Sequence, residues 1–331
     1  MQKNYGLPVL ISLCLLFCIN MLMVSSLAPS LLPKQLFAWF IGLLLFFLGR
    51  QLIPKQLSPL RNFILAAACL LLFLPIALNN ITRGSRRWID IGPVSIQPTE
   101  IVKPLLMIVL STSTLPVLHL IPVSIIAIQP DLGSAISVLL LMAPVVLYNS
   151  KLLKLAAVGL FALMALSPVI WTKVLHDYQR NRIEYFLNPA SDPLGKGYNV
   201  IQSQIAIGSG GLFGKGYKKG TQGQLLFLPE KHTDFMFAAT GEELGLFGLL
   251  LIIFAYYLLI VSLFKKAYST NDRALFIFTL GISFQIWMQA FVNIGMNIGI
   301  LPVTGIPLPF LSVGGSSIMS LLFSLGIIFS S

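Results

Sequence analysis

The chain has 331 residues, of which 56% are hydrophobic and only 10% charged, with a formal net charge of +11 and a mean hydropathy of +0.87. In soluble domains roughly a quarter of all residues are charged, so this composition excludes an ordinary water-soluble domain. Nucleic acid is also excluded as a partner, because the positive charge is not gathered in a soluble basic domain. Apolar runs of about 20 residues recur along the chain and match a ~30 Å hydrocarbon core, whereas a β-barrel would show short alternating segments. We therefore predict an all-α polytopic membrane protein in which residues 1–331 form a single integral membrane domain.

The first apolar run, residues 7–27, follows Lys3 and could be read as a signal peptide. It is longer than an ordinary signal core, and Pro29 directly after Ala28 is a poor context for cleavage. We expect a retained membrane span.

About ten spans are predicted. The apolar stretch 117–149 is too long for one span, and Gln129-Pro130-Asp131 interrupts it, with Asp131 suited to cap the helix that follows. Reading this stretch as a hairpin of two short spans also leaves most loop lysines and arginines on one side, which predicts that both termini are cytoplasmic. The predicted spans are 7–27, 35–53, 60–79, 99–115, 117–129, 131–149, 152–171, 243–264, 274–296 and 312–330.

One long connection, about residues 172–242, lies between spans 7 and 8 and falls outside the cytoplasm on this topology. Connections of this length are functional or disordered, and its content of Leu, Ile and Phe predicts a partly ordered extracytoplasmic loop. Within it, "NVIQSQIAIGSGGLFGKG" (199–216) is typical of a short amphipathic helix that ends in a glycine turn.

Asp234 is the strongest candidate for chemistry, since it lies just before a predicted span in a chain that is poor in charge. An apolar surround and a nearby cation would suit a general base there. The alternative is a structural one, because Asp is also a good residue to cap a helix N-terminus. Position alone leaves both readings open.

Other ionisable residues also have two readings. Glu100 and Lys103 share a helix face at the start of the fourth span, beside Pro104, and form either a structural ion pair or a site for an anionic headgroup. Glu242, like its neighbour Glu243, falls in the first turn of the eighth span, where negative charge suits the helix dipole.

The basic cluster at 83–87 runs against the predicted charge bias. Arg86 and Arg87 precede Trp88, an arrangement typical of phosphate-binding arginines beside an interfacial aromatic anchor. The segment 293–317, rich in Gly, Pro and Asn, predicts irregular backbone that lines a cavity or packs on protein. The three histidines are scattered along the chain, so no protein metal cage is predicted.

Several long motifs closely resemble the SEDS family, the shape, elongation, division and sporulation proteins. The segment "HDYQRNRIEYFLNPASDPLGKGYNV" favours its elongation branch over its division branch. The resemblance runs from about residue 83 to the end and is carried by "GSRRWIDIG", "QPTE", "QPDLGSA", "SDPLGKGYNVIQSQIAIGSGGLFGKG", "LPEKHTDFMFAATGEELG" and "NIGMNIGILPVTGIPLPFLSVGGSS".

The resemblance implies a peptidoglycan glycosyltransferase that polymerises lipid II, an undecaprenyl-diphosphate-linked disaccharide pentapeptide, at the outer face of the bacterial cytoplasmic membrane. Asp234 falls on the family's essential aspartate and would be the catalytic base. The other residues expected to bind substrate are Glu100, Lys103, Arg86, Arg87, Trp88, Lys231, His232, Thr233 and Glu242. A divalent cation, Mg²⁺ or Mn²⁺, is compatible with this chemistry but is not established by the sequence.

The implied partners are a class B penicillin-binding protein, which cross-links the strands, other proteins of the elongation complex and membrane lipids. The chain departs from the family in the short neutral connection "STSTLP" after the fourth span and in Leu226, where some relatives are acidic. Two rival functions remain at this stage, a transporter that flips lipid II and a scaffold without catalysis.

Overall fold

In the computed structural model, the described residues are 5–78, 88–91, 94–113, 116–129, 131–167, 170–174, 180, 197–225 and 227–330. The helices are α1 (Gly6–Leu27), α2 (Leu32–Gly49), α3 (Arg61–Ala77), α4 (Pro98–Thr112), α5 (Leu120–Ile128), α6 (Leu132–Leu140), α7 (Ala143–Tyr148), α8 (Ser150–Ala165), α9 (Tyr198–Ser209), α10 (Thr221–Gln224), α11 (Met236–Tyr268), α12 (Arg273–Asn297) and α13 (Gly315–Ile328). A two-stranded antiparallel hairpin, β1 (Ile89–Ile91) and β2 (Val94–Ile96), precedes α4 and was not predicted.

Each predicted apolar segment contains helix, and the prediction of a polytopic α-helical membrane protein is confirmed. Five helical stretches in the described part of the chain are long and apolar enough to cross a membrane: Gly6–Leu27, Pro29–Gly49, Pro54–Ala77, Met236–Tyr268 and Arg273–Asn297. Large apolar side chains remain exposed on their outer faces; Phe37, for example, is 61% exposed and Phe63 73%. In a membrane these faces contact lipid, so their exposure carries no hydrophobic penalty.

Small residues allow α2 and α13 to pack at close range. A Cβ atom on Gly326 would lie 2.2 Å from the main-chain oxygen of Phe46, and one on Gly49 would lie 2.5 Å from the oxygen of Phe323. Close backbone contact of this kind is the usual way in which membrane helices gain van der Waals energy. α2 is therefore held mainly by α13, while α1 packs mainly on α11.

The predicted hairpin at 117–149 is present, with one difference. Asp131 caps α6 as expected, accepting a hydrogen bond from the amide of Ser134 at 3.1 Å and from its hydroxyl at 2.8 Å. The second arm, however, divides into α6 and α7. Pro144, in the first turn of α7, has no amide hydrogen and cannot continue the helical ladder, which explains the division.

The helix predicted from residue 243 begins seven residues earlier and is broken inside. Gly245 has a φ of +69°, and the carbonyls of Glu242 and Glu243 accept hydrogen bonds from the amides of Lys215 (2.9 Å) and Gly216 (3.0 Å). Beyond the break, the amides of residues 246 and 247 donate to the carbonyls of residues 211 and 212 at 2.9 and 3.1 Å. The turn after α9 thus supplies the main-chain hydrogen-bond partners that the break in α11 removes. The predicted helix and glycine turn in this region are confirmed.

Candidate active site

Asp234 lies on the short segment between residue 227 and α11, with its side chain partly exposed. Its main-chain carbonyl accepts hydrogen bonds from the side-chain amides of Asn293 (3.1 Å) and Asn297 (3.0 Å), both on α12. The Asn297 side-chain oxygen also accepts from the amide of Ala238, in the first turn of α11, at 3.1 Å. The N-cap residue of α11 is Phe235 and not Asp234. Because Asn297 on α12 accepts from the Ala238 amide, this bond of the helix cap does not require the Asp234 carboxylate.

Asn293 and Asn297 were not singled out from the sequence as functional residues. Both are fully buried and stand one turn apart, joined by a 2.8 Å bond from the Asn297 amide to the Asn293 carbonyl. Asn293 also donates to the carbonyl of Ile306 at 2.9 Å. The sequence does carry a signal for them: they are two asparagines spaced four residues apart on an apolar helix. A side-chain amide that is buried in a membrane needs hydrogen-bond partners, so this spacing indicates a polar contact.

The residues between α12 and α13, 298–314, have the irregular backbone that the sequence predicts. They pack against the Asp234 segment: Ser312 donates its hydroxyl to the Thr233 carbonyl at 2.5 Å, and the Val313 amide donates to the His232 carbonyl at 2.9 Å. Gly305, with a φ of +73°, lies beneath the carboxylate, since a Cβ there would be 3.6 Å from Oδ2 of Asp234. Alanine at 305 would be strained by this φ, and its Cβ would be in van der Waals contact with this oxygen.

Polar side chains of α1 and α2 hold the same irregular segment from the opposite side. Asn20 donates to the Leu311 carbonyl at 2.5 Å, and its own side-chain oxygen accepts from Gln35 (3.0 Å) and from the indole of Trp39 (3.1 Å). The Asn20 amide thus satisfies a main-chain carbonyl of the irregular segment, and Gln35 and Trp39 hold the Asn20 side chain in place. Segment 298–314 is thus fixed between the first two helices and the segment that carries Asp234.

Glu100 and Lys103 form an ion pair of 2.5 Å that is almost fully buried, at 3% and 1% exposure. The second carboxylate oxygen of Glu100 has no hydrogen-bond partner among the residues described. The start of α4 is tied to the start of α13, because the Gln97 amide donates to the Ser316 hydroxyl at 3.1 Å. Ser316 follows closely on Ser312, so the ion pair and Asp234 are attached to the same short stretch of chain.

Glu242, expected to bind substrate, instead holds the turn after α9. Its buried carboxylate accepts from the Lys215 ammonium (2.7 Å), the Thr221 hydroxyl (3.0 Å) and the amides of Gln222 (2.9 Å) and Gly223 (3.1 Å). Four donors from the chain leave little acceptor capacity for a ligand. The structure therefore favours a structural role for this carboxylate.

Lys231, a second expected substrate ligand, donates its ammonium to the carbonyl of Gly223 at 2.5 Å and is 8% exposed. Burial lowers the pKa of this lysine below its ordinary value, while the carboxylate of Glu243 opposes that shift. Glu243 itself accepts a 2.7 Å bond from the hydroxyl of Ser26 on α1. Lys231 thus fixes the Asp234 segment to the 221–223 turn, whose amides bond to Glu242.

The remaining predicted residues are only partly located. The Thr233 hydroxyl donates to the Glu230 carboxylate at 3.0 Å, and His232 is half-buried. Trp88 is half-buried at the start of the β-hairpin, and Arg86 and Arg87 lie outside the described residues, as does Leu226. Within the described ranges, no three His, Cys, Asp or Glu side chains come together as metal ligands.

Long apolar helices with exposed apolar outer faces define a multi-pass membrane protein. Asp234, which is partly exposed and has its backbone fixed by buried side-chain amides, marks a polar site at the ends of these helices. The chain matches the family model of cell cycle proteins named for FtsW, RodA and SpoVE over residues 3–330. It therefore belongs to this family, the one that its motifs resemble.

Two relatives show the extent of the similarity. The chain is 40% identical over 307 residues to the peptidoglycan glycosyltransferase MrdB of Escherichia coli K12, covering 88% of this chain and 82% of that protein. It is 33% identical over 351 residues to the probable peptidoglycan glycosyltransferase FtsW of Bacillus subtilis 168, covering 98% of this chain and 86% of that protein.

Solved structures agree with the fold along nearly the whole chain. A chain of a peptidoglycan synthase complex, solved to describe the coordination of polymerization and crosslinking, has a TM-score of 0.83 and 34% identity. The rod shape determining protein RodA of Thermus thermophilus has a TM-score of 0.71 and 29% identity. Both comparisons cover 99% of this chain and 97% of the other.

Proposed function

We propose that this protein is a peptidoglycan glycosyltransferase that polymerises lipid II into glycan strands during cell elongation, with Asp234 as the general base. The observation that carries the proposal is the setting of Asp234. Asp234 is partly exposed, its carboxylate lies close to Gly305, and its main-chain carbonyl is held by two buried asparagines. Proton transfer from a bound hydroxyl requires a carboxylate that is held in a fixed position within reach of the substrate.

The reaction joins two lipid-linked sugars. Asp234 takes the proton from the acceptor sugar hydroxyl as the hydroxyl oxygen bonds to the anomeric carbon of the donor from the face opposite the diphosphate. The bond from that carbon to the diphosphate oxygen breaks, and the electron pair leaves with the diphosphate. Cations stabilise the negative charge that develops there; Lys103, Arg86 and Arg87 are our candidates. Mg²⁺ or Mn²⁺, if bound, would supply further charge neutralisation.

The proposal includes a location and a partner. We place the protein in the bacterial cytoplasmic (inner) membrane with both termini in the cytoplasm, so that the 172–242 connection and Asp234 face outwards, where lipid II is used. The excess of lysine and arginine in the opposite loops supports this orientation. A class B penicillin-binding protein is the proposed partner, supported by the similarity to a chain of a polymerising and crosslinking complex.

The test is glycan synthesis by the purified protein from lipid II, with and without the partner and with Mg²⁺, Mn²⁺ or a chelator. We expect polymer from the wild type and none from Asp234→Asn or Asp234→Ala. Asp272→Asn is the matched control, because Asp272 only caps α12, accepting from the Leu275 amide at 2.8 Å. Equal polymer from wild type and Asp234→Asn would exclude Asp234 as the base. Movement of lipid II between leaflets without polymer would favour a transporter instead.

A further inference from the structure

A groove of about 420 Å³ lies between the facing ends of α1 and α2. The two helices are joined by a short turn and pack mainly on different partners, with few contacts between them. Its lining consists of Met21, Leu22, Ser25, Leu32, Leu36 and Tyr217. Leu22 and Leu36 are 38% and 45% exposed, so the groove opens sideways from two membrane-spanning stretches into the lipid.

The groove has two polar lining residues, Ser25 and Tyr217. The hydroxyls of Tyr217 and Ser25 are 2.9 Å apart, and Ser25 donates its hydrogen to the Leu22 carbonyl at 2.8 Å. Tyr217 is therefore the donor in the bond to Ser25, and its oxygen keeps acceptor capacity at the mouth of the groove. The ring and its hydroxyl have the amphipathic character that suits a membrane interface.

Positive charge lies next to Tyr217. Lys218 and Lys219 are exposed and directly follow Tyr217, and the Lys218 ammonium is 5.3 Å from the centre of the Tyr217 ring. The Lys218 amide donates to the buried carboxylate of Glu243 at 3.2 Å, and the residue has a φ of +60°. This bond fixes the turn that carries the Tyr217 ring, which lines the groove, and the two exposed lysines that follow it.

The charges on this turn do not cancel. Glu243 is 1% exposed and accepts from Ser26, Gln224 and the Lys218 amide, and Glu242 is paired with Lys215. Among the described side chains, no ion pair is formed by Lys218 or Lys219. A ligand that matches this surface has an apolar chain and a negatively charged head.

We propose that the groove binds an anionic diacyl phospholipid of the surrounding bilayer, with one acyl chain along Leu22, Leu32 and Leu36. Its phosphate lies at Lys218 and Lys219, beside the Tyr217 hydroxyl. A bound lipid would hold the turn after α9, which bonds to the break in α11 and to Glu243. Through the electrostatic attraction between Glu243 and Lys231, it would also steady the segment that carries Asp234. This inference does not depend on the reaction that the protein catalyses.

The test uses native mass spectrometry and thermal unfolding of the full chain in detergent, with added dioleoyl phosphatidylglycerol or dioleoyl phosphatidylcholine. These lipids share their acyl chains and differ in head charge. We expect the wild type to retain phosphatidylglycerol and to unfold at a higher temperature with it, and to retain at least fivefold less phosphatidylcholine. The double variant Lys218→Gln/Lys219→Gln should lose this preference.

A variant of the groove lining separates binding of the lipid acyl chain from binding of the lipid headgroup. Leu32→Trp fills the groove and should reduce retention of both lipids; if that variant does not fold, Leu36→Phe serves the same purpose. Lys151→Gln/Lys154→Gln is the matched control, because it removes two exposed lysines on α8. Equal retention of both lipids by the wild type, unchanged preference in the Lys218/Lys219 variant, or an equal loss in the control would each overturn the proposal.

Discussion

Asn297 holds both ends of the junction at which Asp234 meets α11: its amide donates to the Asp234 carbonyl at 3.0 Å, and its side-chain oxygen accepts from Ala238 at 3.1 Å. One side chain thus joins the proposed catalytic segment, the first turn of α11 and the end of α12. The carboxylate is consequently positioned by a helix that is separated from it by 63 residues in sequence.

Asn297→Ala should lower both stability and activity. The substitution leaves the Ala238 amide without its partner and removes one of two donors to the Asp234 carbonyl, which costs about 1–3 kcal/mol. Thermal unfolding and the polymerisation rate would be measured together. Ser324→Ala is the control, because its hydroxyl bonds only to the Ser320 carbonyl of its own helix, at 2.8 Å. An Asn297→Ala variant with unchanged stability and rate would contradict the role we assign to this asparagine.

Removing one partner of the Glu100–Lys103 pair should lower the free energy of unfolding more than replacing both partners. Lys103→Met leaves a carboxylate that is 3% exposed without its cation, a change that destabilises by about 3–5 kcal/mol. The double variant Glu100→Gln/Lys103→Met should regain most of that stability and still polymerise poorly, since Lys103 is proposed to stabilise the diphosphate. Unfolding of the two single variants and the double variant gives the coupling energy. A double variant no more stable than Lys103→Met would show that the pair does not behave as a buried ion pair.

Gly245→Ala should destabilise the break in α11. A Cβ at this position would lie 2.3 Å from the Gly214 nitrogen, and the φ of +69° is unfavourable for alanine. We expect a loss of at least about 1 kcal/mol in the free energy of unfolding. Gly159→Ala on α8 is the matched control: nothing lies within 4 Å of its Cβ, so greater helix propensity should leave stability unchanged or slightly raised. The prediction fails if both variants unfold at the same temperature.

Gln289→Met should leave stability unchanged or raise it. Gln289 is 3% exposed, and neither polar atom of its amide has a hydrogen-bond partner within the described part of the chain. An apolar side chain of similar shape removes the cost of burying an unpaired amide. Gln35→Met is the comparison, because it removes a 3.0 Å bond to Asn20 and should destabilise by about 1 kcal/mol. A larger loss for Gln289→Met than for Gln35→Met would show that this amide has a structural partner.

Local patterns predict much of this fold. The apolar runs, the Asp131 cap and the helix with its glycine turn at 198–211 depend on residues close together in sequence, and all are present. The division between α6 and α7 could have been read from Pro144, which was overlooked.

The candidate site was less predictable, because its contacts join distant residues. The motif around Asp234 points to its carboxylate as the candidate base, whereas the bonds from Asn293 and Asn297 to the Asp234 main-chain carbonyl span 59 and 63 residues. The bonds of Glu242 were unpredictable for the same reason: its donors come from Lys215 and the 221–223 turn, which no helical periodicity brings near it.

The pairing of residues 211–216 with the break at 242–247 has a consequence for chimeric proteins. The four main-chain bonds are made between two stretches some thirty positions apart, and each stretch alone would leave amides and carbonyls at the helix break without their partners. Grafts between relatives should therefore transfer both stretches together. A graft with only one of them is expected to be degraded in cells before its activity can be assayed.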